Sequence, residues 1–140
     1  MKLKVVETLD ELIEAFIVRG IVFMEEQGVS YAIEKDSEEH RALHIIGELA
    51  GEPIAAARIR FQCKFAKIER LAVRRQWRGR GYGNRLLDFA LAAARRQGFR
   101  KFKLHAQTTA QTFYAKQGFE AVGDIFLEAD IKHQLMVKED

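Results

Sequence analysis

Residues 74–85 read Arg74-Arg75-Gln76-Trp77-Arg78-Gly79-Arg80-Gly81-Tyr82-Gly83-Asn84-Arg85. Five arginines and three alternate glycines stand here without an acid, between an expected strand (Ile68–Val73) and an expected helix (Leu86–Gln97). Glycine lets the backbone turn tightly and come close to a ligand, and the first N–H groups of a helix point outward with the positive end of its dipole. Arginine adds permanently charged arms that fork onto phosphate oxygens. The stretch is built to hold a phosphorylated ligand. Its spacing excludes two common nucleotide loops. A Walker loop needs Gly-x4-Gly-Lys-Ser/Thr, and no Lys-Ser or Lys-Thr follows these glycines. The dinucleotide fingerprint needs Gly-x-Gly-x-x-Gly, whereas Gly79, Gly81 and Gly83 alternate.

The rest of the chain sets the scale. At 140 residues one domain, 1–140, is the natural expectation, large enough to bury roughly two-thirds of its extended-chain surface. Apolar residues make up 48% and charged residues 31%, the balance of a soluble globule. Net charge is +3, so residues 74–85 hold more positive charge than the whole chain nets, and the remainder is slightly acidic. A local anionic ligand fits that asymmetry better than nucleic acid, which takes a broad basic face. The N-terminus alternates charged and apolar residues, unlike a signal peptide, and no run is long enough to span a membrane. A lone Cys63 allows no internal disulfide and fits a reducing, cytoplasmic setting.

Patterning predicts the elements around the arginine stretch. Residues 3–6 read as a strand, and Thr8-Leu-Asp-Glu11 is a capping box opening a helix whose Leu12, Ile13, Phe16, Ile17 and Gly20 share one face, expected to be inward. Residues 25–41 read as an acidic loop with room for a short helix. Arg41–Leu49, Ile54–Gln62 and Phe65–Val73 read as three strands, the first two joined by a hairpin at Ala50-Gly51-Glu52-Pro53. In the helix after the glycines, Leu86, Leu87, Ala90, Leu91 and Ala94 point inward and Gly98 is the stop. A strand (Arg100–Ala106), a short helix (Thr109–Gln117) stopped by Gly118, and strands Phe119–Leu127 and Ile131–Lys138 complete the chain. The fold class is α+β: a mixed, mostly antiparallel sheet with helices on both faces.

Two ordered motifs carry a family resemblance. Arg78-x-x-Gly81-x-Gly83, placed after Ile68-Glu69-Arg70-Leu71-Ala72-Val73, resembles the acetyl-CoA motif of the GNAT (Gcn5-related N-acetyltransferase) superfamily. Residues 107–119, Gln-Thr-Thr-Ala-Gln-Thr-Phe-Tyr-Ala-Lys-Gln-Gly-Phe, are similar to its later motif, Asn-x-x-Ala-x-x-φ-Tyr-x-Lys-x-Gly-Phe, where φ is apolar. Ala110, Phe113, Tyr114, Lys116, Gly118 and Phe119 match, while Gln107 replaces the commoner asparagine. A third segment, Val22-Phe23-Met24-Glu25-Glu26-Gln27, resembles one subgroup of mostly uncharacterised acetyltransferases and, more loosely, acyl-homoserine lactone synthases.

The resemblance implies an acetyl-CoA-dependent N-acetyltransferase that moves acetyl from the thioester to a small or peptide primary amine by direct attack in a ternary complex. Two neighbouring parallel strands, here 67–73 and 101–106, would splay to admit pantetheine. Leu71, Ala72 and Val73 would meet its amides. Backbone N–H groups of Arg78, Gly79, Arg80, Gly81, Tyr82, Gly83 and Asn84 would hold the pyrophosphate, and Gln107 and Tyr114 would complete the cofactor contacts. Tyr114 is the candidate acid at the departing sulfur, and packing is its alternative role. For the base, two carboxylates compete. Glu69 precedes Leu71 by two and so shares its strand face, and Glu26 borders the acceptor side. Both could instead be ion-pair partners of Arg19 or Arg58. The acids of 25–39 would suit a cationic acceptor. No metal is expected, His40 and His44 being split between loop and strand; His105, in the strand beside the cleft, reads as a core-packing residue, with substrate contact as its alternative role. A homodimer is admitted by analogy with such folds. The alternative from another class is a non-catalytic CoA-binding sensor or partner module.

Overall fold

Seven strands form one sheet in the order β1-β2-β3-β4-β5-β7-β6, in a computed structural model that describes residues 1–140. They are β1 (Lys2–Val5), β2 (Leu43–Leu49), β3 (Glu52–Gln62), β4 (Phe65–Val73), β5 (Lys101–Gln107), β6 (Glu120–Glu128) and β7 (Ile131–Glu139). All neighbours are antiparallel except β4 and β5. The helices are α1 (Leu9–Arg19), prolonged by a π-helical turn (Gly20–Glu26), α2 (Tyr31–Glu34), α3 (Tyr82–Arg96) and α4 (Gln111–Lys116). The architecture is α+β, with helices on both faces. Successive residues of β3 show this: Ala55 and Ala57 join the core under α3, whereas Ala56 joins the cluster under α1. No helix is long and apolar enough to cross a membrane.

Local chemistry explains the joints. Ala50 and Gly51 both have positive φ (52° and 82°), as the two-residue hairpin turn that matches strand twist requires. Thr8 and Glu11 form the capping box reciprocally. Gly98, at φ 94°, ends α3 while the N–H of Phe99 reaches back to the Ala94 carbonyl at 3.2 Å.

Two expectations change. The buried stripe of α1 and its extension is Ala15, Val18, Arg19 and Val22; Ile13, Phe16 and Ile17 are 46%, 38% and 48% exposed. The larger apolar stripe therefore faces outward. Small side chains (Ala15, Ala56, Ala72) let α1 lie close to the sheet, and this rotation brings Arg19 inside to Glu34 and Glu39. The second change is in β4. Arg58 of β3 registers with Glu69, and Ala56 with Ala72, so three steps of β4 oppose two of β3. The extra residue makes a bulge at Arg70, a non-glycine residue at φ 52°. Ala66 and Ile68 belong to the core under α3 before the bulge, and Leu71 and Val73 pack on it afterwards. Glu69 and Leu71 therefore lie on opposite faces, not on one.

On the α1 side the fold is tied by charge. Arg58, 1% exposed, donates to Asp36 (2.9 Å), Glu39 (2.8 Å) and Glu69 (3.0 Å). Arg19 donates to Glu34 (2.9 Å) and Glu39 (2.6 Å). Burial alone would raise the carboxyls of Asp36, Glu39 and Glu69, but arginine partners outweigh it and lower all three, Glu69 to about 2. Removing one partner strands buried charge, so Arg58→Ala should cost about 3–5 kcal/mol in urea unfolding. Lowered carboxyls mean that the native state binds fewer protons than the unfolded chain at acid pH. The thermal midpoint should hold above pH 4.5, the ordinary glutamate value, and fall as pH drops toward about 2.

Candidate active site

The site begins where β4 and β5 part. Their parallel pairing lasts three rungs, Phe65↔Lys101, Ala66↔Phe102 and Lys67↔Lys103. Beyond Lys67 the side of β4 that faced β5 has no strand partner. Main-chain groups exposed this way require other partners, and an extended chain of amides laid in the gap would supply them. A cavity of about 480 Å³ occupies the gap, with Leu71, Ala72 and Val73 on one wall and Leu104, His105 and Gln107 on the other.

At one end the cavity reaches Arg78, at the start of the glycine-rich turn. Gly81 is the N-cap of α3 at φ 81°, and no side chain caps the helix. The first helical amide to find a carbonyl is that of Arg85, which donates to Gly81 at 3.2 Å. The N–H groups of Tyr82, Gly83 and Asn84 thus project from the helix end with no acid in the first turn. The helix starts at Tyr82, four residues earlier than the expected Leu86. Gly79 and Gly81 both occupy left-handed backbone (φ 76° and 81°) that a side chain would strain. Gly83 is helical, and its role is different: a β-carbon there would stand 3.3 Å from the ring of Phe113, so its absence lets α4 close on α3.

The five arginines divide by contact. Arg74 donates to the Pro53 carbonyl at 3.1 Å and lies over Trp77, which packs on the core. Arg85 donates to the Met1 carbonyl at 2.7 Å. Arg78 donates through Nε to the Val73 carbonyl at 2.7 Å and through both Nη atoms to the Glu26 carboxylate. Arg75 is exposed and 3.7 Å from Glu26, and Arg80 is exposed without a carboxylate partner.

The carboxylates named from sequence are engaged. Glu69 accepts from Arg58 and Arg60 and lies 3.0 Å from Lys67. Glu26 is held below the usual carboxylate range by its hydrogen bond from Arg78, and it lies at the glycine-rich end among Arg74 and Arg75. The acidic loop is spent in the same way: Glu34, Asp36 and Glu39 meet Arg19, Arg58 and Arg70. Glu34 and Asp36 line the cavity with their charges paired to arginines, and beside them the segment presents Val22, Phe23, Gln27, Val29 and Ile33. Gln27 accepts from Gln107 at 3.0 Å, so the segment after α1 touches both rims of the splay, Arg78 on one and Gln107 on the other.

Tyr114, on α4, lines the cavity with its ring edge-on to Phe113 and Phe119. Burial raises its phenol to about 12. Sequence patterning missed one further group. His105 donates from Nδ1 to Glu128 at 3.0 Å, His133 lies 3.8 Å from the same carboxylate, and all three line the cavity. Glu128 is twenty-three residues from His105, so only sheet order, with β7 between β5 and β6, brings them together.

Comparison with known proteins agrees with this arrangement. Residues 13–140 match the profile of the acetyltransferase (GNAT) domain. The chain is similar to the uncharacterised N-acetyltransferase YjcF of Bacillus subtilis, 34% identical over 140 residues, covering 99% of this chain and 100% of that one. It superposes on an acyl-CoA N-acyltransferase from Pseudomonas aeruginosa with a TM-score of 0.88 at 28% identity, covering 99% of both chains. An aminoglycoside 6'-N-acetyltransferase solved with coenzyme A shares the fold (TM-score 0.78, 14% identity, 99% of this chain and 97% of that one).

A β-carbon at Gly81 would meet no neighbouring atom within 4 Å, but Gly81→Asp puts a side chain on left-handed backbone and a negative charge at the helix end. Calorimetry should show acetyl-CoA binding abolished in a variant that still melts cooperatively. Undiminished affinity would remove the phosphate end from this loop.

Proposed function

The chain belongs to the acetyltransferase (GNAT) family, and on that premise we propose that it transfers acetyl from acetyl-CoA to a primary amine by direct attack in a ternary complex. The observation that carries this reading is the cavity itself, which runs along the unpaired edge of β4 from the phenol of Tyr114 to Arg78, just before the uncapped N-terminus of α3. The pyrophosphate would rest on the N–H groups of Gly81, Tyr82, Gly83 and Asn84, with Arg78 and Arg80 neutralising it. Gly79 supplies the turn. Pantetheine would pair along Leu71, Ala72 and Val73, and the Leu71 amide is the donor assigned to the developing oxyanion. Gln107 would hold the arm from the β5 side.

Tyr114 would serve the departing sulfur. A thiol titrates near ~8.5, so a phenol at about 12 holds its proton too firmly for full transfer to be downhill. Its role is then a hydrogen bond that strengthens as charge grows on sulfur. The proton that finally converts thiolate to thiol comes from the attacking nitrogen.

The acceptor is a small or peptide amine in an intracellular, cytoplasmic setting. Since the acids of 34–39 are consumed by arginines, the support for a polycationic acceptor falls. Val22, Phe23, Val29 and Ile33 favour an amine on an apolar body. A homodimer has one supporting feature, the outward apolar stripe Leu9, Ile13, Phe16 and Ile17; a monomer by equilibrium sedimentation at micromolar concentration would count against it.

The reading is tested by thiol release from acetyl-CoA in the presence of phenethylamine, spermidine and a lysine-bearing peptide. Turnover is expected, fastest on phenethylamine. Acetyl-CoA binding without turnover on any amine would favour a non-catalytic sensor module. Tyr114→Phe should leave acetyl-CoA affinity nearly unchanged and slow transfer roughly a hundredfold, the scale of one lost transition-state donor. Equal rates would leave Tyr114 a packing residue.

A further inference from the structure

Attack on a thioester requires an amine freed of its proton, and neither carboxylate named so far is placed to take it. Glu69 is saturated by Arg58, Arg60 and Lys67 and held at about 2, where a carboxylate is a feeble base at neutral pH. Glu26 is clamped by Arg78 at the phosphate end.

Across the splay stands a better group. The last paired rung is Lys67↔Lys103, so Glu69 and His105 each lie two residues beyond it, at one level on the two diverging strands. They also share a face. Phe102, Leu104 and Ala106 of β5 enter the core under α3, which turns Lys103, His105 and Gln107 to the side where Glu69 meets Arg58. His105 is half-buried on the cavity wall, with 29% of its side chain exposed. An ionised carboxylate only accepts, so the Nδ1 bond to Glu128 puts the ring proton on Nδ1 and leaves the Nε2 lone pair free. Nε2 makes no hydrogen bond within the chain. Phe126 meets the His105 ring edge-on at 5.0 Å and stacks on His133 at 6.0 Å. His133 itself is 7% exposed and donates from Nδ1 to the Ile131 carbonyl at 2.7 Å, which fixes it beside Glu128.

We propose that His105 is the general base of the transfer, with Glu128 as its positioning residue; this rests on the acetyltransferase reading above. His105 Nε2 takes one proton from the acceptor ammonium, and the freed lone pair forms the new C–N bond. The C–S bond breaks, and the second nitrogen proton goes to the departing thiolate. The products are the amide, CoA thiol and one proton, which the imidazolium returns to solvent. Glu128 keeps the ring in the required tautomer and balances the imidazolium charge, the logic by which a carboxylate orients a catalytic histidine. The hydrogen bond from His105 holds Glu128 below the usual carboxylate range, so it is ionised wherever the base works. The other titratable and charged groups that line the cavity with this ring are His133 from β7, Lys67, Glu69 and Arg70 from β4, Arg58 and Arg60 from β3, Glu34 and Asp36 from the segment after α1, Arg78 from the glycine-rich turn and Tyr114 from α4.

The test follows thiol release against pH, with acetyl-CoA and whichever amine of the panel the native protein turns over fastest. His105→Gln should bind acetyl-CoA normally by calorimetry. Its kcat/KM near pH 7 should fall roughly a hundredfold or more, and the deficit should shrink at high pH, where solvent frees the amine. Glu128→Gln should bind acetyl-CoA normally and lose kcat while KM for the amine holds, because an amide no longer fixes the Nδ1–H tautomer of His105. A residue that only supported the fold would not confine its loss to kcat. Full rate and an unchanged acid limb of the profile in His105→Gln would overturn the assignment while the acetyltransferase reading stood. A limb lost only in His133→Gln would overturn it in favour of that neighbour. Native protein that binds acetyl-CoA and acetylates no amine would bring down both readings together.

Discussion

A guanidinium buried to 1% exposure governs one side of this molecule. Taking Arg58 out of water costs several kcal/mol unless carboxylates meet it with good geometry. Three do, and they come from different places: Asp36 and Glu39 from the segment after α2, Glu69 from β4 beside the bulge. The same acids, with Glu34, recruit Arg19, Arg60 and Arg70. An irregular stretch that packing alone would leave loose is thereby fixed against the sheet. It becomes a wall of the cavity because the charge on Arg58 must be answered.

The bulge at Arg70 does the complementary work on the strand. Without it, alternation would put Glu69 and Leu71 on one face and would send both toward the core under α3 or both toward Arg58. The extra residue separates them. Glu69 joins the ion network, and Leu71 and Val73 return to the hydrophobic side at the point where β4 leaves β5. One left-handed residue thus reconciles a charge requirement with a packing requirement. It does so at the level where main chain is left open to a ligand.

The parts legible in sequence are those whose cause is local. Capping at Thr8, the stops at Gly98 and Gly118, the inward stripe Leu86–Ala94 of α3 and the glycine-rich turn all follow from a few adjacent residues. The order of strands and the family also came through, because two motifs stand in fixed order along the chain. What did not come through depends on distant partners. The rotation of α1 is decided by Arg19 reaching Glu34 and Glu39, so its apolar stripe misled. The face of Glu69 is decided by a bulge that no pattern of period two reveals. His105 and Glu128 meet only because β7 inserts between β5 and β6.

The two ends of the cavity consequently differ in kind. At the glycine-rich end, positive character is left unanswered: helix amides without a cap, Arg80 without a partner, and one carboxylate, Glu26, resting on Arg78. An anion arriving there gains more than it displaces. At the other end most formal charges already have an opposite: Glu34, Asp36, Arg58, Arg60 and Glu69 line the cavity in ion pairs, beside Phe23, Val29 and Ile33. A proton acceptor in such a place works best if it is neutral when the substrate arrives and charged only as the reaction proceeds. A carboxylate among arginines is charged throughout and too weak to accept; an imidazole backed by one carboxylate satisfies both conditions. The paired charges of the wall therefore act in the chemistry by exclusion: they remove the acids from contention and leave the histidine.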